Sequence, residues 1–312
     1  MGAVRERVPQ VANRVLYTVA LAFLGLVLFA ACPSLQKPPL GSKGNPVVMA
    51  LVPSSESEKL VSTIKPIADY LSRESGVEVV GKVLPTYMAV VEAMGSGQVQ
   101  IGWLPPLAYV LASDRYGVKV VLKAVRNGKA TYQGQILVAE DSQIQKLSDL
   151  KGKRIAFVDP GSSSGYLYPR AMLMKQGIDP ERDMRVVFAG SHDAAVLALY
   201  NGSVDAAACY VDVRKRMSER FPDIFDRTRV LAVTDPIPAD SVSVVPDLPP
   251  EMEQKLIAAL EKLARDPEGR RLIYELYEIE DLVPASDRDF DPVREMARTL
   301  GLDLESQLRQ KN

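Results

Sequence analysis

The chain has 312 residues, of which 47% are hydrophobic and 25% are charged, and its formal net charge is −1. This length is sufficient for two compact α/β lobes, and the charged fraction is too high for a protein that crosses a membrane many times. The near-zero net charge argues against a nucleic acid or an acidic membrane as the partner, because both would require a basic surface.

The first 31 residues predict an export signal peptide. Three arginines precede an apolar run over residues 15–31, and the lipobox-like sequence Phe29-Ala30-Ala31-Cys32 follows. We therefore expect Cys32 to carry a lipid anchor and residues 32–46, rich in Pro, Gly, Ser and Lys, to form a flexible stalk. The alternative is an uncleaved membrane anchor, since the run is nearly long enough to span a bilayer. Both interpretations place the rest of the chain outside the cytoplasm.

After the stalk, β-branched runs alternate with amphipathic stretches, which predicts an α/β protein. The first series has predicted strands at 47–51, 77–84, 100–104 and 118–125, and predicted helices at 57–73, 87–94 and 107–114. This order implies a largely parallel sheet covered on both faces.

A second series begins with a strand over 134–139 that leaves the first lobe. Its further predicted strands are 154–158, 185–188, 206–210 and 228–233, and its predicted helices are 164–176, 194–200 and 212–220. A strand over 241–245 would return to the first lobe, with the helix at 249–264 and later helices packed outside it. The sequence thus predicts a first lobe of residues 47–135 and 241–312, a second lobe of residues 136–240, and a hinged cleft between them.

Three consecutive serines, Ser162, Ser163 and Ser164, lie between a predicted strand and a predicted helix. Their hydroxyls, the adjacent N–H groups and the positive end of the helix dipole would converge, which predicts an anion site. The simpler interpretation is a helix cap, for which one serine suffices. Pro169 is expected in the first turn of the helix, because deeper in the helix it would cost a hydrogen bond.

Other polar residues lie where ligands bind in open α/β sheets, at the strand ends. His192 would donate to an oxyanion or sense its protonation, unless it is merely an exposed residue at the start of a helix. Asp212 and Asp240 would be costly beside an anion unless they accept a proton from the ligand or pair with a ligand cation. Their simpler roles are a helix cap and a turn. Tyr87 follows a strand end, so its hydroxyl is expected to reach the cleft, and Tyr132 lies just before the predicted crossing strand.

These residues resemble a known family, the phosphate/phosphite/phosphonate-binding proteins of ABC importers, within the type II periplasmic-binding-protein fold. The resemblance runs from Val47 to about Leu282, and its specific pieces include Leu84-Pro85-Thr86-Tyr87, the serine loop and Gly190-Ser191-His192. It implies a two-lobed clamshell with a ligand cleft between the lobes. It also implies that the serines hold phosphoryl oxygens, that Tyr87, Tyr132 and His192 line the cleft, and that Asp212 and Asp240 are the acidic ligand contacts.

The chain departs from this family after Trp103, where Leu104-Pro105-Pro106 replaces a frequent tyrosine, and at Asp212, where aminoalkylphosphonate binders carry Glu. The shorter acid at position 212, with Tyr210 two residues before it, favours a smaller ligand such as phosphite or phosphate.

We therefore expect a monomeric, lipid-anchored extracytoplasmic binding protein that delivers phosphonate, phosphite or phosphate to an ABC permease without a metal or cofactor. The alternatives are a partner of a sensor kinase and a sulfonate- or nitrate-type binder of the same fold. An enzyme is disfavoured, because the chain has one histidine, one thiol besides Cys32, and no apparent nucleophile–base pair.

Overall fold

The computed structural model describes Gly2 and residues 38–55, 57–211 and 213–301. The predicted signal peptide, Cys32 and Asp212 lie outside the described residues. The chain divides at Pro39 into two units, and the description below concerns the second, which begins at Leu40. Within the described residues, no helix has both the length and the apolar character that a membrane span requires.

The described strands are short, and most of them are buried. In chain order they are β1 Val47–Leu51, β2 Val79–Val83, β3 Ile101–Leu104, β4 Lys119–Val125, β5 Thr131–Tyr132, β6 Gly134–Ala139, β7 Arg154–Phe157, β8 Arg185–Phe188, β9 Ala206–Tyr210, β10 Thr228–Val233, β11 Ile237–Pro238, β12 Ser241–Val244 and β13 Asp281–Pro284.

The helices lie between and after these strands. In chain order they are α1 Ser57–Ser75, α2 Tyr87–Gly95, α3 Pro106–Tyr116, α4 Tyr168–Lys175, α5 Pro180–Asp183, α6 His192–Tyr200, α7 Val213–Met217, α8 Ile224–Arg227, α9 Pro250–Arg265, α10 Pro267–Tyr277 and α11 Asp291–Thr299. A single π-helical turn, Ser163–Leu167, and two 3-10 turns, Leu147–Leu150 and Asp287–Phe290, complete the described elements.

The first sheet has six strands in the order β13-β4-β12-β3-β1-β2. Strands β1 to β3 are parallel, but β12 lies between β3 and β4 and is antiparallel to both. The expected first-lobe sheet is therefore less parallel than its βα order suggested, because the returning strand at 241–244 is inserted inside it. The strand β13 was not predicted from the sequence.

The second sheet repeats this plan with five strands in the order β10-β6-β9-β7-β8. Strands β7, β8 and β9 are parallel, and the crossing strand β6 is antiparallel to β9 and β10. The predicted strands over 185–188, 206–210 and 228–233 are confirmed. We call the elements around the first sheet the first lobe and those around the second sheet the second lobe.

The two crossing segments pair with each other through a small two-stranded sheet. Strand β5 leads into β6 and strand β11 leads into β12, and Tyr132 pairs with Ile237 between them. Because β6 and β12 are antiparallel to their neighbours, each begins at the edge where the neighbouring strands end. Gly134 is thus opposite Tyr210, and Ser241 is opposite Leu104. The mixed α/β, two-sheet fold is that of the type II periplasmic binding proteins.

Candidate functional site

A cavity of about 380 Å³ lies between the facing edges of the two sheets. Its wall includes residues that follow the carboxyl ends of strands in both lobes, among them Ser54, Tyr87 and Arg126 from the first and Ser164, His192 and Arg216 from the second. Ligands of open α/β proteins bind at this edge of a sheet, because loops and helix N-termini meet there. Trp103 also lines the cavity while packing in the core, where its indole N–H donates to Met49 Sδ at 3.2 Å.

The serine loop turns sharply from β7 into the π-helical turn that precedes α4. Ser162 Oγ accepts from the backbone N–H of Gly165 at 3.0 Å and so caps this turn. A Cβ at Gly165 would lie 2.3 Å from Val158 Cγ2, so the turn can pack on its strand only with glycine at this position. Pro169 lies in the first turn of α4, as predicted. Single π-helical turns occur frequently at functional sites.

The three serines have different surroundings. Ser162 and Ser164 line the cavity. Ser163 is fully buried and contributes no atom to the cavity wall formed by the described residues. Its Oγ instead accepts from the backbone N–H of Leu107 in the other lobe at 2.8 Å. Leu107 lies in the first turn of α3, and Pro105 at the cap position supplies no side-chain hydrogen bond, so Ser163 satisfies this N–H from across the cleft.

Tyr87 and Tyr132 both line the cavity. The Tyr87 hydroxyl is buried and has no hydrogen-bond partner among the described residues. Burial, and then the nearby Asp159 carboxylate, raise the pKa of Tyr87 well above its ordinary value. Burial also raises the pKa of Tyr132, whose phenol lies within hydrogen-bonding reach of Ser164. Both phenols therefore keep their protons and can donate them in hydrogen bonds.

His192 begins α6 and is 4% exposed at the cavity wall. Its Nδ1 accepts from the backbone N–H of Tyr210 at 3.2 Å. Burial, and then the positive charge of Arg216, lower the pKa of His192 to about 3. A neutral ring that accepts at Nδ1 must carry its proton at Nε2, so His192 is a neutral hydrogen-bond donor. Its own backbone N–H donates to Ser54 O in the first lobe at 3.1 Å.

Asp240 lines the cavity but already has a partner. Arg126 Nη2 lies 2.9 Å from Asp240 Oδ2, while Arg126 Nε donates to Tyr277 O at 2.7 Å. This geometry follows from the sheet order, because β12 starts beside the end of β4 and so brings Asp240 next to Arg126. Of the predicted acids, the structure describes only this one.

Two arginines in the cavity wall were missed by the sequence analysis. Arg126 directly follows β4, so the strand-end rule that selected Tyr87 would have found it. Arg216 lies on α7, where its Nη2 is 3.2 Å from Asp193 Oδ1 and its guanidinium stands 5.9 Å from the centre of the Tyr210 ring. Arg216 lies six residues beyond the end of β9 at Tyr210, so the strand-end rule gave no comparable signal for it.

A wall of neutral hydroxyl and imidazole donors with arginines beside them suits a small anion held between two lobes. The family model for the phosphonate periplasmic substrate-binding proteins of ABC transporters matches residues 49–290. The chain belongs to this phosphonate-binding family. It is therefore a member of a family of extracytoplasmic transport proteins, and the two relatives described next are named for import and binding rather than for catalysis.

Individual relatives agree with this membership. The chain is 30% identical to the phosphate-import protein PhnD of Mycolicibacterium smegmatis over 301 residues, covering 88% of this chain and 93% of that protein. It is 25% identical to the phosphonates-binding periplasmic protein of Escherichia coli over 256 residues, covering 79% of this chain and 74% of that protein. The structure of PhnD1 from Prochlorococcus marinus in complex with methylphosphonate superposes with a TM-score of 0.75 at 19% identity, covering 82% of this chain and 98% of that one.

Proposed function

We propose that this phosphonate-binding family member captures a small phosphorus oxyanion, namely a phosphonate, phosphite or phosphate, and delivers it to an ABC permease. The observation that carries this proposal is the Tyr87 hydroxyl, which is buried at the cavity wall and has no partner among the described residues. A buried hydroxyl without a partner is costly, and an oxyanion in the cavity would supply the missing acceptor.

The ligand would be held by donors from both lobes. Tyr87 donates from the first lobe, and Ser164 and His192 Nε2 donate from the second, while Tyr132 donates from the crossing segment. Ser162 and the N–H groups of the serine loop complete the proposed anion site, and Ser163 positions this loop through its bond to Leu107. Asp212 and Asp240 are the proposed acidic contacts, which accept a proton from the oxyanion. Hydrogen bonds to a charged group contribute more than those to neutral groups, about 1.5–3 kcal/mol each. No cofactor or metal takes part in this proposal.

Binding would favour the closed arrangement of two lobes, proposed as residues 47–135 with 241–312 and residues 136–240. Donors that reach the ligand from both sides are satisfied together only when the lobes meet, so the ligand binds the closed form better than the open form. The crossing strands β5 and β11 are the proposed hinge. A monomer is sufficient for this cycle.

The names of the relatives support the ligand class. One is named for phosphate import and another for phosphonate binding, and a third has been solved with methylphosphonate. The test is calorimetric titration of the full chain with phosphate, phosphite and methylphosphonate, using sulfate and nitrate as comparison anions. We expect saturable binding of at least one phosphorus oxyanion in preference to sulfate and nitrate, and absence of such binding would contradict the proposal.

We also propose that Cys32 is lipidated after removal of residues 1–31, so that the protein is anchored outside the cytoplasm. The apolar run that ends in Ala30-Ala31-Cys32 supports this. Cys32→Ser should release the protein from the membrane fraction, with Cys209→Ser as the matched control. Continued membrane retention of the Cys32→Ser variant would favour an uncleaved anchor.

A further inference from the structure

The cavity is larger than an isolated oxyanion needs. Its volume is about 380 Å³, whereas a water molecule occupies roughly 30 Å³ in the liquid. An oxyanion of four or five heavy atoms therefore leaves room for a substituent. The charges around this room determine which substituents are accepted.

The charged residues of the described cavity wall are mainly cationic. They comprise three cations, Arg126, Lys129 and Arg216, and two acids, Asp240 and Glu278. The two arginine side chains are mostly buried, with exposures of 19% and 15%, whereas Lys129 and Glu278 are exposed residues whose charges water screens.

Asp240 is the less exposed of the two described acids that could attract a positive ligand group, and Arg126 already neutralises it. The guanidinium is fixed on two sides, by Asp240 Oδ2 at 2.9 Å and by the carbonyl of Tyr277 at 2.7 Å. A ligand ammonium that approached Asp240 would therefore also approach Arg126. Arg216 on the opposite lobe is likewise paired, with Asp193 Oδ1 at 3.2 Å, so it adds a second guanidinium to the wall and no unpaired carboxylate.

We propose that this cavity selects phosphorus oxyanions whose substituent carries no positive charge, and that the Arg126–Asp240 pair is the element that rejects aminoalkylphosphonates. The inference rests on the proposed function and deepens it. Rejection arises because a ligand ammonium would lose its water in the cavity without gaining an unpaired carboxylate, since Asp240 is already paired with Arg126. An interface is specific when it penalises the wrong partner as well as binding the right one. An uncharged alkyl substituent meets no such penalty.

Two ligands of nearly equal size can show the effect of a positive charge on the substituent. In propylphosphonate a methyl group stands where 2-aminoethylphosphonate has its ammonium, so the pair differs mainly in charge. We expect calorimetry on the wild-type full chain to give propylphosphonate an affinity about tenfold or more above that of 2-aminoethylphosphonate. Arg126→Gln should reduce this ratio by about tenfold, because Asp240 is then free to pair with the ammonium.

Two further variants serve as controls. Arg126→Lys keeps the positive charge beside Asp240 and should keep the preference, and Arg185→Gln removes an exposed charge from β8 and should also keep it. Equal or tighter binding of 2-aminoethylphosphonate by the wild type would overturn the inference while leaving the proposed function intact. Failure of every phosphorus oxyanion to bind would instead remove the proposed function. The wild-type comparison stands even if a variant does not fold.

Discussion

Ser163 Oγ in the second lobe accepts a hydrogen bond from the backbone N–H of Leu107 in the first lobe at 2.8 Å. The bond crosses the cleft, so separation of the two lobes would break it. The backbone N–H of His192 makes a second crossing bond, to Ser54 O. The loop proposed to hold the anion is thus itself attached to the opposite lobe.

We predict that Ser163→Ala weakens ligand binding mainly by speeding dissociation. Loss of one such bond costs about 1 kcal/mol, or roughly fivefold in affinity, and the cost falls on the closed form. Stopped-flow dissociation rates would measure it, with exposed Ser203→Ala as control. An unchanged dissociation rate in the Ser163→Ala variant would show that this bond does not hold the lobes together.

Tyr87→Phe should weaken oxyanion binding while leaving the ligand-free protein as stable as the wild type. The lost hydroxyl has no partner among the described residues, so its removal breaks no described hydrogen bond, but the ligand loses a donor worth about 1.5–3 kcal/mol. Calorimetry and thermal melting would test both parts. Tyr200→Phe, which removes a hydroxyl bonded to Asp223 away from the cavity, should leave affinity unchanged. Full affinity in Tyr87→Phe would exclude this hydroxyl as a ligand contact.

The stability of the folded protein should decrease below about pH 6.5, in part because of His192. In the unfolded chain this ring takes up a proton near its ordinary pKa of about 6.5, whereas burial lowers its folded pKa to about 3. Between these values the unfolded chain holds more protons, so acidification favours unfolding, by about 2 kcal/mol from pH 6.5 to pH 5. Urea unfolding at both values should show a smaller pH effect in His192→Gln, and an equal effect would contradict this contribution.

Alanine at two glycines of the serine loop should have different effects, one on ligand affinity and the other on thermal stability. A Cβ at Gly161 would lie 2.9 Å from Tyr87 Cβ in the other lobe, whereas a Cβ at Gly165 would meet Val158 in its own lobe. Gly161→Ala should therefore hinder closure and reduce affinity with little loss of ligand-free stability. Gly165→Ala should lower the melting temperature itself. Identical effects of the two substitutions on melting would contradict this division.

Most of the strands and helices could be predicted from local patterns in the sequence. Strand β9, with its run of Ala206–Tyr210, and strand β10 could be predicted because short apolar runs are bounded by polar or turn residues. The position of β12 inside the first sheet could not be predicted locally, because it depends on pairing with β3 and β4 more than a hundred residues earlier.

Local sequence patterns likewise predicted only part of the candidate site. The rule that ligands bind at the carboxyl ends of strands selected Tyr87 and His192, and the family resemblance added Tyr132. All three residues lie at the cavity wall. Whether these residues contact a ligand stays a prediction. The burial of Ser163 against Leu107 and the pairing of Asp240 with Arg126 both join segments that are far apart in sequence, so only the folded arrangement reveals them.

The inserted strand β12 also constrains the order in which the chain can assemble. All strands of the second sheet lie in one continuous stretch, from Gly134 to Val233, so that sheet can form as soon as this stretch is available. The first sheet has a gap between β3 and β4 until Ser241–Val244 arrives. For a chain that emerges from its N-terminus, the lobe that begins first is the lobe that is completed last.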